Sequence, residues 1–496
     1  MKKKLSFVKL SSILLGTFMI SLTACDQLHV HNYTVELAEA QYFKSEANFD
    51  RGAEYYKSCT CGAVGEDTFV YGEALERLPA EEQVFYQPKS LTVTLYDAEE
   101  SIYGFTYNTD KEPLRPVLQI QKGNELTADC EEYAATVKQE TTNLGDVTYY
   151  IAKVTAELEP SCTYAYRIYD KHADTATETV IFETKDTTSD SFTFAHISDS
   201  QVFGENLDEY AYENTGLYFG KVLSKLVDNN DFILHTGDIV ERSSHENFWT
   251  EMLHTNFDYL SKIPLMALSG NHDTTYKAGK NELFKHFNNK LPEQSSTHNG
   301  YYYSFEYGHA KFIMLNTNNM ASDGIKREQY DWLVDELKNN EAMWTIVAMH
   351  NPMYGVGKWG ANPAQNEDAI TLRKQLQGVF AEYGVDIVLQ GHDHTVARSY
   401  PLNGYGVAQA ETIKEENGIP YSVRPNGVIY LQNGTAGNQI REPFSFDESL
   451  YSYGLSSYEC SWAEFEMSGR TMTVTLKYID GDDVKVYRQW GIKKSA

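Results

Sequence analysis

The sequence predicts an α+β protein: an all-β domain over residues 85–187, then a larger domain of layered sheets flanked by helices over residues 191–496. Three observations predict this. Alternating apolar and polar runs separated by turn residues fill residues 88 to 186. From residue 192 short, wholly apolar runs alternate with segments of helical periodicity. After residue 457 the alternating, turn-punctuated pattern returns. At 496 residues the chain exceeds one ordinary core, so several domains are expected.

Residues 1–25 read as a leader. Lys2, Lys3, Lys4 and Lys9 form a basic head, and residues 10–22 are apolar but shorter than the ~20 residues that span a bilayer. The leader ends in Leu22-Thr23-Ala24-Cys25. That ending resembles the bacterial lipobox, which implies that Cys25 is lipidated and becomes the new N-terminus. The expected product is a lipoprotein tethered to the outer, extracytoplasmic face of the cell membrane through Cys25.

Residues 26–84 are a polar spacer or small module holding His29, His31, Cys59 and Cys61. Two His and two Cys are a donor set that a tetrahedral zinc ion accepts. The runs HVHNYT and YYKSCTCGAVGEDTF resemble a small Cys/His-rich module of Gram-positive surface proteins. This chain departs from that pattern at Phe49, where a further Cys is usual. Cys59 and Cys61 are too close for an ordinary disulfide, Cys130 and Cys162 are candidates to pair within the β-domain, and Cys460 reads as a buried thiol.

The β-domain is read from the runs 91–95, 117–121, 149–154, 164–169 and 180–184. The stretch LEPSCTYAYRIYD, closing in FETKD, resembles the fibronectin type III-like domain that precedes the catalytic domain of purple acid phosphatases. Beyond it, residues 192–198, 232–235, 265–268, 344–349 and 385–389 are buried-strand candidates. Tyr330, Leu333, Val334 and Leu337 share one helix face, and residues 301–305 and 311–315 form a hairpin through Gly308.

Five polar clusters each follow an apolar run: Asp199-Ser200-Gln201, Gly237-Asp238, Gly270-Asn271-His272-Asp273, His350-Asn351-Pro352 and Gly391-His392-Asp393-His394. Strand C-termini open into a common crevice, so these side chains converge. Carboxylate, amide and imidazole donors in that mixture suit iron, manganese or zinc. In this order the clusters resemble the calcineurin-like metallophosphoesterases, which include the purple acid phosphatases, over residues 192–440. The resemblance implies a four-layer α/β/β/α sandwich and two metal ions. Asp199, Asp238 and His394 would hold the first metal, with Asp238 bridging to a second held by Asn271, His350 and His392. Such a pair, roughly 3.5–4 Å apart, activates water for in-line attack on phosphorus. His272 would protonate the leaving group as general acid, and Asp273 would orient its ring. Gln201 stands where most members have a ligating His, either as a weak ligand or as a hydrogen-bonding support. Glu241 stands where purple acid phosphatases have an iron-binding Tyr.

Composition narrows the partners. A formal charge of −28 excludes nucleic acid, whose backbone needs clustered cations. A phosphate-ester substrate would need a locally positive site, which bound metals supply. His196 and His235 lie inside apolar runs and read as core histidines, and His309 beside Gly308 reads as exposed. Tyr354 and Trp359 either line the substrate cleft or pack, and Arg398 either contacts phosphate or pairs with a carboxylate. The expected activity is phosphate-ester hydrolysis, a phosphomonoesterase before a phosphodiesterase. The contrasting expectation is a surface binding lipoprotein with a vestigial phosphoesterase domain.

Overall fold

The computed structural model describes residues 30–141, 147–204, 215–274, 282–295, 300–318 and 320–495. The leader, Cys25 and His29 lie outside the described residues. The chain divides into two compact units between Glu76 and Arg77. In the first, Phe43–Ser45, Ala53–Ser58 and Val64–Tyr71 form an antiparallel three-stranded sheet. The second holds everything from Arg77 onward. Its first segment is tied down by ion pairs of Arg77 with Asp174 and Glu82 with Lys111.

The all-β region has two sheets. Lys89–Asp97, Ile102–Thr109, Thr148–Glu157 and Thr136–Thr141 pair in that order, all antiparallel. Facing them, Thr163–Asp170 is flanked by Pro116–Lys122 on one side and by Thr175–Ala176 and Val180–Glu183 on the other, with Glu131–Ala134 at the edge. Tyr103, Phe105, Tyr166 and Phe182 interlock edge-to-face between the sheets. Cys130 and Cys162 are unpaired thiols, so the disulfide that their shared domain suggested is not formed, and Cys460 is a buried thiol.

The larger region is mixed α/β and sheet-dominated. One eight-stranded sheet runs Leu265–Ala267, Phe232–His235, Ser191–Ile197, Ser461–Ser468, Thr471–Asp480, Asp483–Lys493, Ile419–Val423, Ile413–Glu416. A seven-stranded sheet runs Tyr303–Tyr307, Ala310–Met314, Trp344–Met349, Ile387–Gln390, Ile429–Asn433, Thr395–Ser399, Tyr451–Ser456. Their inner faces share a core in which Phe194 stacks on Phe232 and Phe465 and meets Phe312 edge-on. Helices cover the outside. The helix Arg327–Lys338 buries Trp332, Leu333 and Leu337, and Glu367–Glu382 buries Leu372, Leu376 and Phe380, on the outer face of the seven-stranded sheet. Gly216–Leu226 packs Phe219, Val222 and Leu223 into the core on the other side.

What positions the site is parallel pairing. Ser191–Ile197, Phe232–His235 and Leu265–Ala267 run parallel, as do Trp344–Met349 and Ile387–Gln390. Their C-terminal ends therefore lie at one edge of their sheets, and every polar cluster of the motif follows such an end.

Candidate metal centre

Most of the ligand candidates are buried polar groups at strand ends, while Asn271 is exposed and His392 half-buried. Asp199, His350 and His394 are at most 1% exposed and Asp238 is 2% exposed. A bare carboxylate at such depth costs several kcal/mol unless a cation or donors face it. No Lys or Arg pairs with Asp199 or Asp238 among the described residues. Their ion-pair partners are imidazoles: His394 Nε2 lies 3.2 Å from Asp199 Oδ1, and His350 Nε2 lies 3.2 Å from Asp238 Oδ2.

The imidazoles are aimed by their other nitrogen. His350 Nδ1 donates to the Thr236 carbonyl at 2.8 Å, and His394 Nδ1 donates to the Gln439 carbonyl at 2.5 Å. Each ring is thereby left with Nε2 as its ligating atom, the usual anchoring of metal-bound histidine. His350 Nε2 then faces Asn271 Oδ1 at 3.1 Å, His392 Nδ1 at 3.2 Å and Asp238 Oδ2 at 3.2 Å. These separations match the edge of a tetrahedron with metal–ligand bonds of about 2.0 Å, roughly 3.3 Å. Four acceptor atoms around one point, with the anchoring protons spent elsewhere, fit a cation. Without one, the electrostatics call a proton in: burial opposes a charge on His350, but Asp238 and Asp199 overcome it and push its pKa up to about 9. Burial and the charged His350 together pull His392 down to about 3.

The second half of the site is less symmetrical. Asp199 accepts Ser198 Oγ at 2.5 Å and the His392 amide at 2.8 Å. Gln201 Nε2 donates to Glu241 Oε2 at 3.1 Å, which leaves its amide oxygen as the atom a metal would use. So the side chain in the expected His position and the one in the expected Tyr position hold each other.

His272 differs from its neighbours: its side chain is 31% exposed. Its Nδ1 donates to the Glu241 carbonyl at 2.9 Å, its amide donates to Asp238 Oδ1 at 2.8 Å, and Nε2 stands 4.0 Å from Asp238 Oδ2. Burial resists protonation, yet Asp238 and Glu241 raise the pKa above its ordinary value.

Three expectations need correction. Asp273 does not orient the His272 ring. Its carboxylate is taken by the amides of Gly270 at 2.8 Å, Ile239 at 3.0 Å and Val240 at 3.3 Å, and Glu241 holds the ring instead. Tyr354 is not a substrate contact. It is 4% exposed, donates to Gln377 at 2.6 Å and lies under Arg373. Nor does Arg398 reach substrate, because it forms a two-pronged pair with Glu411 and stacks on Trp490. Of the two aromatic candidates, only Trp359 is at the centre, with its ring 5.2 Å from His392.

His196 and His235 are core histidines beneath the site, with burial holding both near pKa 3; they bond Thr236 and Ser200 respectively at 2.9 Å. His309 is half-buried against Phe192 rather than exposed. Sequence reasoning missed Gln439, which acts through a backbone carbonyl and so carries no side-chain signal. It also missed Arg441, whose guanidinium donates to the His392 carbonyl at 3.1 Å. At the other Cys/His cluster, His31, Cys59 and Cys61 have their donor atoms within 4.8 Å of one another.

Comparison with known proteins agrees with this geometry. Residues 192–396 match the calcineurin-like phosphoesterase family model. Purple acid phosphatase 21 of Arabidopsis thaliana is 27% identical over 241 residues, covering 45% of this chain and 50% of that one. Human acid phosphatase type 7 is 26% identical over 234 residues, 43% of this chain and 50% of that one. The chain thus spans about half the length of these relatives. Among solved structures, the purple acid phosphatase PPD1 from yellow lupin (Lupinus luteus) seeds superposes with a TM-score of 0.67 at 16% identity, over 88% of this chain and 78% of that one. A PhoD structure superposes with a TM-score of 0.57 at 12% identity, over 82% and 90%. The five polar clusters at the strand ends begin within the stretch that is similar to the calcineurin-like phosphoesterases, residues 192–396.

Proposed function

We propose that the protein hydrolyses phosphate monoesters at a dinuclear metal centre. The carrying observation is the convergence of Asp238, Asn271, His350 and His392 on one point, with Asp199 and His394 paired beside it. Asp199, Gln201, Asp238 and His394 would hold one ion, and Asp238, Asn271, His350 and His392 the other. The donor set suits iron, manganese or zinc. Bound there, the metals would supply an activated water and neutralise charge on the phosphoryl oxygens.

The remaining chemistry belongs to the chain. His272 is the half-buried imidazole at the edge of the cluster, with Nδ1 fixed by the Glu241 carbonyl and Nε2 left free 4.0 Å from Asp238 Oδ2. With Nδ1 anchored, Nε2 is the atom that carries and delivers the proton, so the ring acts as general acid. The relatives named above are acid phosphatases, which supports monoesters over diesters. The basic head and Leu22-Thr23-Ala24-Cys25 support export and lipid attachment at Cys25, which mass analysis of the N-terminal peptide from membranes tests.

Metal analysis of the purified protein, with rates on p-nitrophenyl phosphate and its bis ester, tests the reading. Two ions per chain at the phosphoesterase site and faster monoester turnover are expected. Faster turnover of the bis ester would make it a phosphodiesterase, and no turnover with both ions bound would leave a binding protein. His272→Ala is expected to lower kcat by about 10²–10⁴-fold with both metals retained.

A further inference from the structure

We propose that His31, Cys59 and Cys61 bind one zinc ion, which pins the extended segment around residue 31 to the turn that ends strand Ala53–Ser58. The three donor atoms lie within 4.8 Å of one another, and His31 Nδ1 approaches Cys61 Sγ to 3.3 Å. With Zn–S near 2.3 Å and Zn–N near 2.0–2.1 Å, a sulfur and a nitrogen on one zinc sit about 3.5 Å apart. The pair is therefore already at ligand spacing.

Local structure assembles the donors. Val35 and Ser58 exchange amide hydrogen bonds at 2.8 and 2.9 Å, which carries the segment holding His31 alongside the strand. Immediately after Ser58 the chain turns. The Gly62 amide bonds back to the Cys59 carbonyl and the Cys59 amide to the Ala63 carbonyl, both at 2.8 Å, and Gly62 takes φ +89°, a conformation open to glycine. This tight turn brings both sulfurs to one side. Cys59 is buried and Cys61 is exposed, so the ion would sit at the surface, closing the turn over a thin layer of core.

The unit needs such a staple. Its sheet has only three strands, and Phe43, Val64, Val70 and Tyr71 are exposed on them, so little apolar area is buried. Small units of this kind rely on a metal or disulfides. Three protein donors suffice for zinc, whose fourth position can be taken by water. The proposal concerns a site separate from the phosphoesterase centre and stands or falls independently of it.

The full-length protein, reconstituted with Co²⁺ in place of zinc, tests it. Thiolate ligation gives a near-ultraviolet sulfur-to-cobalt charge-transfer band that the oxygen and nitrogen ligands of the phosphoesterase centre do not produce. The band is expected in the parent and is expected to vanish in the Cys59→Ser/Cys61→Ser variant, with the loss of one zinc per chain and unchanged phosphatase rate. In the parent, both thiols should resist a thiol reagent until a chelator is added, a measurement that needs no variant. A cobalt spectrum without the band, a band that survives the double variant, or a Cys59–Cys61 disulfide in zinc-loaded protein would each overturn the proposal.

Discussion

Asp273 sits below the loops of the candidate metal centre as a wholly buried carboxylate and binds three backbone amides, those of Gly270, Ile239 and Val240. Ile239 and Val240 follow Asp238, and Gly270 precedes Asn271, so one side chain ties together two loops that carry ligands. Asp273→Ala leaves those amides buried without an acceptor, at about 1–3 kcal/mol each. A stability loss on the order of 3 kcal/mol is expected by denaturant titration, with metal affinity weakened ~10–100-fold, as when ligand supports are removed. Unchanged metal affinity would show that the loops hold without it. At this scale the sequence was legible where a residue type carries its own chemistry: the Asp, Asn and His of the five clusters are the groups that converge. It was illegible where the neighbour decides. Arg398 and Tyr354 are ordinary candidates for substrate contact until Glu411 and Gln377 are seen to occupy them.

Three of the five strand-to-loop junctions at the centre turn through a left-handed backbone. Asp199, Gln201, Asp238, His392 and His394 all have positive φ, between 37° and 73°, although none is glycine. Such conformations cost of order 1 kcal/mol or more each and persist where surrounding structure fixes them. Here they turn the side chains from the strand direction into the crevice. The apolar runs foretold the strands, because wholly buried strands need no alternation. Residue identity foretold the left-handed ligands only weakly, since Asp and His enter that conformation more often than most residues but Gly alone enters it freely. The two glycines nearby have a steric task as well. A Cβ on Gly270 would collide with Asp238 Oδ1 and its amide nitrogen, and one on Gly237 would collide with the Gly270 backbone. Gly270→Ala is therefore expected to separate the Asp238 and Asn271 loops, abolishing metal binding and turnover while the circular dichroism of the sheets is retained. Full metal occupancy in that variant would mean the loops can move apart without losing the ligand geometry.

From Arg77 onward the molecule is a single compact unit, in which one apolar core runs through the β-region and the mixed α/β region and a polar seam ties the two together. Thr92 and Thr94 donate to the carbonyls of His286 and Asn288 at 2.6 Å, Tyr166 donates to Ser261 at 2.6 Å, and Lys153 caps Phe284 and Phe287 at 2.8 and 2.6 Å. The strand Ile102–Thr109 was not foretold from sequence because it is buried on both sides, by the facing sheet on one and by this seam on the other, where the Asn288 carbonyl presses on Gly104. At the centre of the seam lies Glu246. It accepts from Asn108 at 2.8 Å, bonds Tyr149, and stands 3.6 Å from His286, with Lys285 and Glu282 nearby. Burial dominates, and Glu282 adds to it against Tyr149, Lys285 and Asn108, so the carboxyl is pushed up to about 8. Burial likewise holds His286 well below its usual range, so the two meet as a neutral pair rather than an ion pair. Between the ordinary carboxyl value and about 8 the folded chain keeps a proton that the unfolded chain has released. The contribution is complete at acid pH and is lost as the pH rises through about 8, by a few kcal/mol in all. Glu246→Gln keeps the acceptor for Asn108 and removes the titration. The variant is expected to melt several degrees above the parent at pH 8.5 and close to it at pH 5, so that thermal unfolding followed across this range flattens. A variant that melts lower at pH 8.5 would mean that the ionised carboxylate holds the seam, and the neutral pair would be wrong.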